Sequence, residues 1–152
     1  MPARETPATR AATAAGVAFT LHEYVHDPNA PSFALEAASA LSLDPARVLK
    51  TLVIVRDERL MVCLVPSNVT LDLRRLGKHV ALAPPDRAQA ATGYVVGGIS
   101  PVGQRRRLPT LVDASALAHP TVFVSAGRRG LEMELAPGDL VALTGAAVRQ
   151  LT

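Results

Sequence analysis

Two apolar runs in the first half of the chain predict its clearest secondary structure. Residues 48–55 (VLKTLVIV) are almost continuously apolar, and residues 60–66 (LMVCLVP) follow after a short polar connection. Continuous apolar runs of this length are typical of strands that are covered on both faces. A short polar connection between two such strands favours an antiparallel hairpin. The pattern therefore predicts a β-hairpin whose first strand is central in a sheet.

Shorter patterned segments surround this hairpin. Thr6, Ser32 and Thr70 are residue types that favour helix N-caps, and Gly77 would end the short helix that follows Thr70. Many short strands between short helices favour an α/β (α+β) fold, with short helices around one sheet. Strands are predicted at residues 17–25, 80–82, 111–113, 121–125, 131–135 and 148–151, helices or helical turns at 7–15, 33–41, 84–91, 115–117 and 137–143, and a basic turn at 126–130.

The segment at residues 94–107 (YVVGGISPVGQRRR) follows neither the two-residue period of a strand nor the 3.6-residue period of a helix. Its composition nevertheless suits contact with a ligand. Gly97 and Gly98 can adopt positive φ and let a ligand approach the main chain, while Pro101 stiffens the exit. Exposed N–H groups in such a loop can donate to a carbonyl or a developing oxyanion. The alternative is an ordinary surface loop followed by solvated arginines. The adjacency of the glycines and the arginines favours a small reactive group carried on a nucleic acid.

Lys50 is the residue that the hairpin pattern does not explain. Within its strand it shares a face with Val48, Leu52 and Ile54. A buried ammonium must reach solvent, find a partner or lower its pKa. Two interpretations stay open on pattern alone: the side chain reaches solvent near the start of the strand, or it faces a functional cleft.

Composition narrows the class of protein. The chain has 152 residues, 49% of them apolar, which suits a single compact domain over residues 1–152. Only 3% are aromatic and tryptophan is absent, so any binding to RNA would be mostly electrostatic. The net charge is +3. Without a long apolar run or a signal-peptide pattern, we expect a cytoplasmic protein that does not bind membranes.

Side chains typical of conventional catalysis are few. His22 and His26 share one face of a predicted strand, but no third ligand has matching spacing, so surface histidines are preferred to a metal site. Cys63 lies in an apolar strand without a cationic neighbour, which favours a small buried hydrophobic residue over a nucleophile. The chain has no GxSxG, Walker, HExxH or dinucleotide-binding motif. We therefore expect no metal, no cofactor and no conventional catalytic triad.

Four blocks of the sequence together resemble the YbaK family of free-standing aminoacyl-tRNA editing proteins. They are FTLHEYVHDP (residues 19–28), LKTLVI (49–54), TGYVVGGISPVGQRRR (92–107) and VSAGRRGLEMELAPGDL (124–140). This family is related to the editing insertion domain of bacterial prolyl-tRNA synthetase. The resemblance implies a compact α/β domain with a mixed, strongly curved sheet, and an enzyme that clears tRNA(Pro) wrongly charged with cysteine, with Cys-tRNA(Cys) as a further substrate.

The resemblance also implies roles for particular residues. Lys50 would help to place the substrate or the tRNA terminus, and the main chain of a short loop would hold the aminoacyl group and its carbonyl. Relatives often have two glycines after the serine of the fourth block, whereas here Ala126 precedes Gly127, and its methyl group would narrow the pocket or limit the turn. The loop residues are Gly97, Gly98, Ile99 and Ser100; the pocket residues are Tyr24, Thr51, Pro101, Ser125 and Gly127; the residues for tRNA binding are Arg105, Arg106, Arg107, Arg128 and Arg129.

The implied mechanism needs no protein nucleophile, because the cysteinyl thiol attacks its own ester carbonyl and releases a cyclic thiolactone. An aminoacyl ester is already activated, so fixed backbone donors can supply the positioning and the oxyanion stabilisation that remain. Two alternatives stay open. One is a deacylase for another small amino acid, such as alanine on tRNA(Pro), with water as the nucleophile. The other is a non-catalytic module that binds the aminoacyl end of tRNA as an adaptor of prolyl-tRNA synthetase.

Overall fold

The computed structural model describes residues 4–30 and 32–152 of the chain. The strands in this described part are β1 (Thr20–Glu23), β2 (Leu49–Arg56), β3 (Arg59–Pro66), β4 (Val80–Leu82), β5 (Thr110–Asp113), β6 (Val122–Arg128), β7 (Leu131–Leu135) and β8 (Ala147–Arg149). The α-helices are α1 (Pro7–Ala14), α2 (Phe33–Ala40), α3 (Pro85–Thr92) and α4 (Pro137–Thr144), and shorter 3-10 turns cover Pro45–Arg47, Leu73–Leu76 and Ala114–Ala118. The predicted mixed α/β class is confirmed.

The strands form two sheets, not the one sheet that the pattern predicts. One has the order β1-β7-β6 and is antiparallel, and the other has the order β4-β2-β3-β5-β8 and is mixed, with β5 parallel to both β3 and β8. Strands β3 and β8 occupy the two edges of β5, and β7 pairs with β6 and with the N-terminal strand β1. In the part of the chain that the structure describes, one isolated parallel bridge, between Val48 and Phe123, links the two sheets.

The predicted hairpin is confirmed as the antiparallel pair β2–β3. Its register runs from Leu49 opposite Pro66 to Arg56 opposite Arg59. Asp57 and Glu58 form the turn and both have positive φ, 50° and 69°. Positive φ at both central residues is the requirement of a type I′ turn, whose twist matches that of the flanking strands.

Three apolar clusters pack these elements together. The largest lies between one face of the β2–β3 hairpin and the three-stranded sheet, with α1 and α3 beside it, and a second covers the opposite face of the hairpin. The third joins Ala37 and Ala38 of α2 to Val48 and Phe123. Burying a side chain as large as Phe123, which is 2% exposed, contributes about 1.5–3 kcal/mol. This third cluster holds α2 beside the start of β2.

Local boundaries differ from the prediction in three places. Asp72, not Thr70, caps the turn before Gly77, because its carboxylate accepts from the Arg74 amide at 3.1 Å. Strand β6 continues to Arg128 through an irregular register after Ser125, so most of the predicted turn at residues 126–130 is strand. Strand β1 is shorter than predicted. None of the helices in the described residues is long and apolar enough to cross a membrane.

Candidate active site

A cavity of about 340 Å³ opens between the start of β2, the first turn of α2 and the loop that follows α3. Strands β6 and β7 form its floor. Its lining combines apolar and polar side chains, as ligand pockets generally do. The lining residues are Tyr24, Ser32, Phe33, Ala34, Leu49, Lys50, Thr51, Leu52, Val96, Gly97, Ile99, Ser125 and Glu132.

Several residues that the sequence analysis selected meet in this cavity. They come from four separate segments of the chain, which the two sheets bring together. The predicted residues that line it are Tyr24, Lys50, Thr51, Gly97, Ile99 and Ser125, and those that do not are Gly98, Ser100, Pro101 and Gly127.

Gly98 and Ser100 support the loop from behind. The Gly98 amide donates to the Val95 carbonyl at 2.8 Å, and a Cβ at Gly98 would lie 2.7 Å from the Cα of Arg128. Ser100 is fully buried, and its hydroxyl oxygen accepts from the Val102 amide at 3.1 Å. These contacts fix the main chain of the loop against the end of β6.

Gly127 and Ala126 pack away from the cavity. Gly127 has φ +111°, and a Cβ there would lie 2.9 Å from the Tyr94 ring. Ala126 is fully buried in the main core, and its carbonyl accepts from the Thr6 hydroxyl at 2.5 Å. The expectation that the Ala126 methyl narrows the pocket is therefore wrong, because alternation along β6 points it into the core.

Two amides of the loop are free to meet a ligand. Among the described residues, the N–H groups of Gly97 and Ile99 have no hydrogen-bond partner, whereas those of Val96 and Gly98 donate to Gln89 and Val95. Gly97 and Ile99 both line the cavity. Unpaired amides of this kind can stabilise an oxyanion in a site shielded from water.

Lys50 lies in the cavity, as one of the two interpretations of its pattern predicts. Its side chain is half-buried, and burial lowers the pKa of the ammonium. The ammonium forms neither a hydrogen bond nor an ion pair with any residue that the structure describes. An isolated cation in a cleft is available to an anionic or developing-anionic ligand group.

Thr51 offers further polar groups at an unpaired stretch of β2. Strand β4 pairs with β2 only at residues 54–56, and the Val53 carbonyl accepts from Ala83 at 2.9 Å on that side. Thr51, two residues earlier, directs its main chain toward the same open edge. Its hydroxyl is buried and has no partner among the described residues.

Glu132 is a cavity residue that the sequence analysis missed. It is 5% exposed, and burial raises the pKa of its carboxyl from 4.5 to about 8. Burial and the neighbouring charge of Glu132 raise the pKa of the Tyr24 phenol to about 12. In the sequence, the alternation of LEMEL is typical of a strand with a solvated acidic face. Only the packing of α2 and β2 over that face encloses Glu132.

Phe33 is another cavity residue that the sequence does not single out, and it contacts Arg129. The Arg129 guanidinium stacks on the Phe33 ring at 4.0 Å from the ring centre and donates to Nε2 of His26 at 2.9 Å. His26 in turn contacts Glu36 of α2 at 3.1 Å. Arg129 therefore joins the β6–β7 turn to the first turn of α2, which forms one wall of the cavity.

The other arginines differ in their surroundings. Arg105, Arg106 and Arg107 are exposed, and the backbone amides of the first two donate to the carbonyls of Thr92 and Ala91 at the end of α3. Arg128 is half-buried, and its guanidinium donates to the Arg129 carbonyl at 3.2 Å. The exposed run thus remains suited to contact phosphates.

The histidine pair has protein partners. His22 lies 2.8 Å from a Glu134 oxygen and packs edge-on against Phe123, and His26 lies beyond the end of β1. Neither histidine lines the cavity.

Cys63 is fully buried, and burial raises the pKa of its thiol to about 11.

Comparisons with known proteins agree on one family. The model of the aminoacyl-tRNA editing domain family matches residues 27–143. EbsC of Enterococcus faecalis, a candidate Cys-tRNA(Pro)/Cys-tRNA(Cys) deacylase, is 35% identical over 121 residues, which are 76% of this chain and 74% of that protein. Proline–tRNA ligase of Acidithiobacillus ferrooxidans is 31% identical over 87 residues, which are 54% of this chain and 15% of the ligase.

Solved structures extend the match to nearly the whole chain. The crystal structure of a candidate trans-editing enzyme for prolyl-tRNA synthetase superposes with a TM-score of 0.85 at 29% identity, and the match covers 99% of each chain. The predicted class of enzyme, an aminoacyl-tRNA deacylase, is confirmed at the level of the family. The chain belongs to the aminoacyl-tRNA editing domain family, as its resemblance to the YbaK proteins predicts.

Proposed function

We propose that this protein is a trans-editing deacylase that clears Cys-tRNA(Pro), with Cys-tRNA(Cys) as a second substrate. The observation that carries the proposal is the meeting of Lys50 with the free amides of Gly97 and Ile99 in one cavity. The relative EbsC bears a name with the same two substrates. Among the described residues, the cavity is lined by hydroxyl groups but by no histidine or cysteine, which favours a reaction that takes its nucleophile from elsewhere.

The substrate's own thiol is the proposed nucleophile. The cysteinyl sulfur attacks the carbonyl carbon of its ester, and a C–S bond forms as the bond to the ribose oxygen breaks. The thiol proton ends on that ribose oxygen, so the products are a cyclic thiolactone and uncharged tRNA. The protein then needs only to hold sulfur and carbonyl in attack geometry and to stabilise the oxyanion.

Each of these tasks has a group in the cavity. The amides of Gly97 and Ile99 are the proposed oxyanion donors, and removal of one such donor typically costs about 100- to 1000-fold in rate. Lys50 is proposed to hold the charged end of the substrate, either the oxyanion or the terminal phosphodiester. Exposed arginines, Arg105 to Arg107, are proposed to contact the tRNA backbone, and prolyl-tRNA synthetase is a proposed partner that delivers the mischarged tRNA.

The test compares esters on one tRNA. We expect Cys-tRNA(Pro) to lose its amino acid much faster than its spontaneous rate, and Ala-tRNA(Pro) and Ser-tRNA(Pro) to remain near theirs, because only cysteine carries a thiol. Equally fast loss of the alanyl ester would mean that water, and not the substrate thiol, is the nucleophile. Binding of Cys-tRNA(Pro) without any loss of the ester would leave only the adaptor function.

A further inference from the structure

Strand β7 places Glu132 and Glu134 on one face, and the surroundings of these two side chains differ. Glu134 accepts from the Thr121 hydroxyl at 2.6 Å, contacts His22 at 2.8 Å and lies 3.8 Å from the Arg47 guanidinium. Glu132, two residues earlier, is more buried, yet it has no hydrogen bond or ion pair with any described residue. A buried carboxyl without a partner is costly, so a purely structural role would not retain it.

The position of Glu132 shows where a partner would come from. Its Cα pairs with His22 of β1 on one side and with Ser125 of β6 on the other, and its side chain lines the cavity together with Tyr24 and Lys50. Groups that enter the cavity therefore reach this carboxyl. The missing partner is a small cationic group that donates hydrogen bonds.

The two ionisable groups of the cavity can act as separate poles for a ligand. Burial alone lowers the pKa of Lys50 and raises that of Glu132, and neither charge contributes to the shift of the other. An aminoacyl ester at the end of an RNA has the matching pattern, since its α-ammonium is cationic and its phosphodiesters and oxyanion are anionic. If Lys50 takes the anionic end, Glu132 faces the amine.

We infer that Glu132 binds the free α-ammonium group of the aminoacyl ester, so that the cavity accepts esters with an unblocked α-amine and rejects N-acylated ones. This inference rests on the proposed function for the identity of the ester. Tyr24 lies beside Glu132 and stays a neutral phenol, which leaves its hydroxyl as a second polar contact for the amine. An N-acyl group removes the charge, adds bulk and leaves the buried carboxyl unpaired.

The expected discrimination is large. Sites built to pair with a polar group reject analogues that lack it by factors of about 10⁴–10⁵, and an amide nitrogen still offers one N–H. We therefore expect a preference of at least about 100-fold for the free amine. The consequence for editing is that peptidyl-tRNA and other N-blocked species are spared.

The test separates binding from turnover. Two non-hydrolysable 3′-amide analogues of cysteinyl adenosine, one with a free α-amine and one N-acetylated, are titrated by calorimetry into wild-type protein and into the Glu132→Gln variant. Wild-type protein should bind the free amine at least about 100-fold more tightly, and Glu132→Gln should abolish that preference. Glu134→Gln is the matched control from the same strand face and should keep the preference.

Thermal unfolding provides a readout that a structural role would not give. Loss of a structural carboxylate lowers the melting temperature, as expected for Glu134→Gln, whereas Glu132→Gln should raise it. Equal binding of both analogues by wild-type protein, binding of neither, or an unchanged preference in Glu132→Gln would each overturn the inference. If the free-amine analogue is preferred but Cys-tRNA(Pro) is not cleaved, the inference is supported and the proposed function fails.

Discussion

Lys50 and Glu132 place two ionisable side chains in one cavity, and neither has a hydrogen-bond or ion-pair partner among the described residues, an arrangement that costs stability. Such trade-offs between stability and activity are common at functional sites. The stability cost and the activity of each residue can therefore be measured separately. Burial favours the neutral form of each side chain, so it lowers the pKa of Lys50 and raises the pKa of Glu132.

Because of Glu132, the free energy of unfolding of the protein should decrease as the pH rises. Its pKa is raised from 4.5 to about 8 in the folded state, so the folded protein keeps a proton that the unfolded chain loses between these values. Stability from this group is complete below pH 4.5 and is lost as pH rises through about 8. The free energy of unfolding of Glu132→Gln should therefore exceed that of wild type by roughly 5 kcal/mol near pH 9 and by about 1 kcal/mol near pH 5. Urea unfolding at both pH values checks this, and a constant difference would contradict it.

Lys50→Ala should greatly reduce deacylation while leaving the fold intact. The ammonium makes no ion pair or hydrogen bond with the described residues, so its removal costs no protein contact, but it removes the cation proposed to hold the substrate. We expect kcat/KM for Cys-tRNA(Pro) to fall by about 100-fold or more. Lys78, an exposed lysine after the Leu73–Leu76 turn, gives the matched control Lys78→Ala. Wild-type turnover in Lys50→Ala would remove this residue from the site.

At the scale of elements, the loop at residues 96–101 depends on close approach of its main chain to β6. A Cβ at Gly98 would lie 2.7 Å from Arg128 Cα and 3.0 Å from two further backbone atoms, and backbone cannot move aside cheaply. We expect Gly98→Ala to destabilise the protein by about 1–3 kcal/mol and to reduce deacylation. Gly138 of α4 has open space around it, so Gly138→Ala should stabilise by about 0.5–1 kcal/mol. Equal melting temperatures for the two variants would contradict this account.

The wall formed by α2 depends on Arg129 more than its sequence context suggests. Because the planar guanidinium stacks on Phe33 and donates to His26, lysine cannot replace it. We expect Arg129→Lys and Arg129→Ala to raise KM alike, with a stability loss of about 1 kcal/mol. If the positive charge acts only on tRNA, Arg129→Lys will keep wild-type KM, and steady-state kinetics distinguishes the two outcomes.

Elements set by local signals could be predicted from the sequence, and those set by distant contacts could not. The β2–β3 hairpin follows from two apolar runs around a short turn, and Ser32 caps α2 where its residue type predicts. The separation into two sheets depends on pairing between strands that are distant in the sequence, such as β1 with β7, which no local pattern records. For the same reason the sequence does not single out Glu132, and its local pattern predicts a turn where Ala126 and Gly127 lie in strand β6.

At the scale of the whole molecule, the cavity lies where the two sheets meet. The single bridge between Val48 and Phe123 lies just before Lys50 along the chain, and α2 covers that junction. The family motifs come together only because both sheets contribute strands to the cavity. The motifs therefore predicted Lys50, the loop and several further residues that line the cavity, whereas Phe33 and Glu132 could be found only from the fold.

At the same scale, the exposed arginine run is proposed to contact the RNA backbone. Arg105, Arg106 and Arg107 form no ion pair with acidic side chains in the described residues, so their charges are available to phosphates. Each phosphate contact releases counterions, and we expect the triple change to alanine to weaken tRNA binding and flatten the slope of log K against log salt by about 2–3 units. The control removes three exposed arginines elsewhere, Arg59, Arg74 and Arg75, and should keep the slope. Filter binding between low and moderate salt measures both variants, and an unchanged slope in the first would mean that these arginines serve only as a solvated surface.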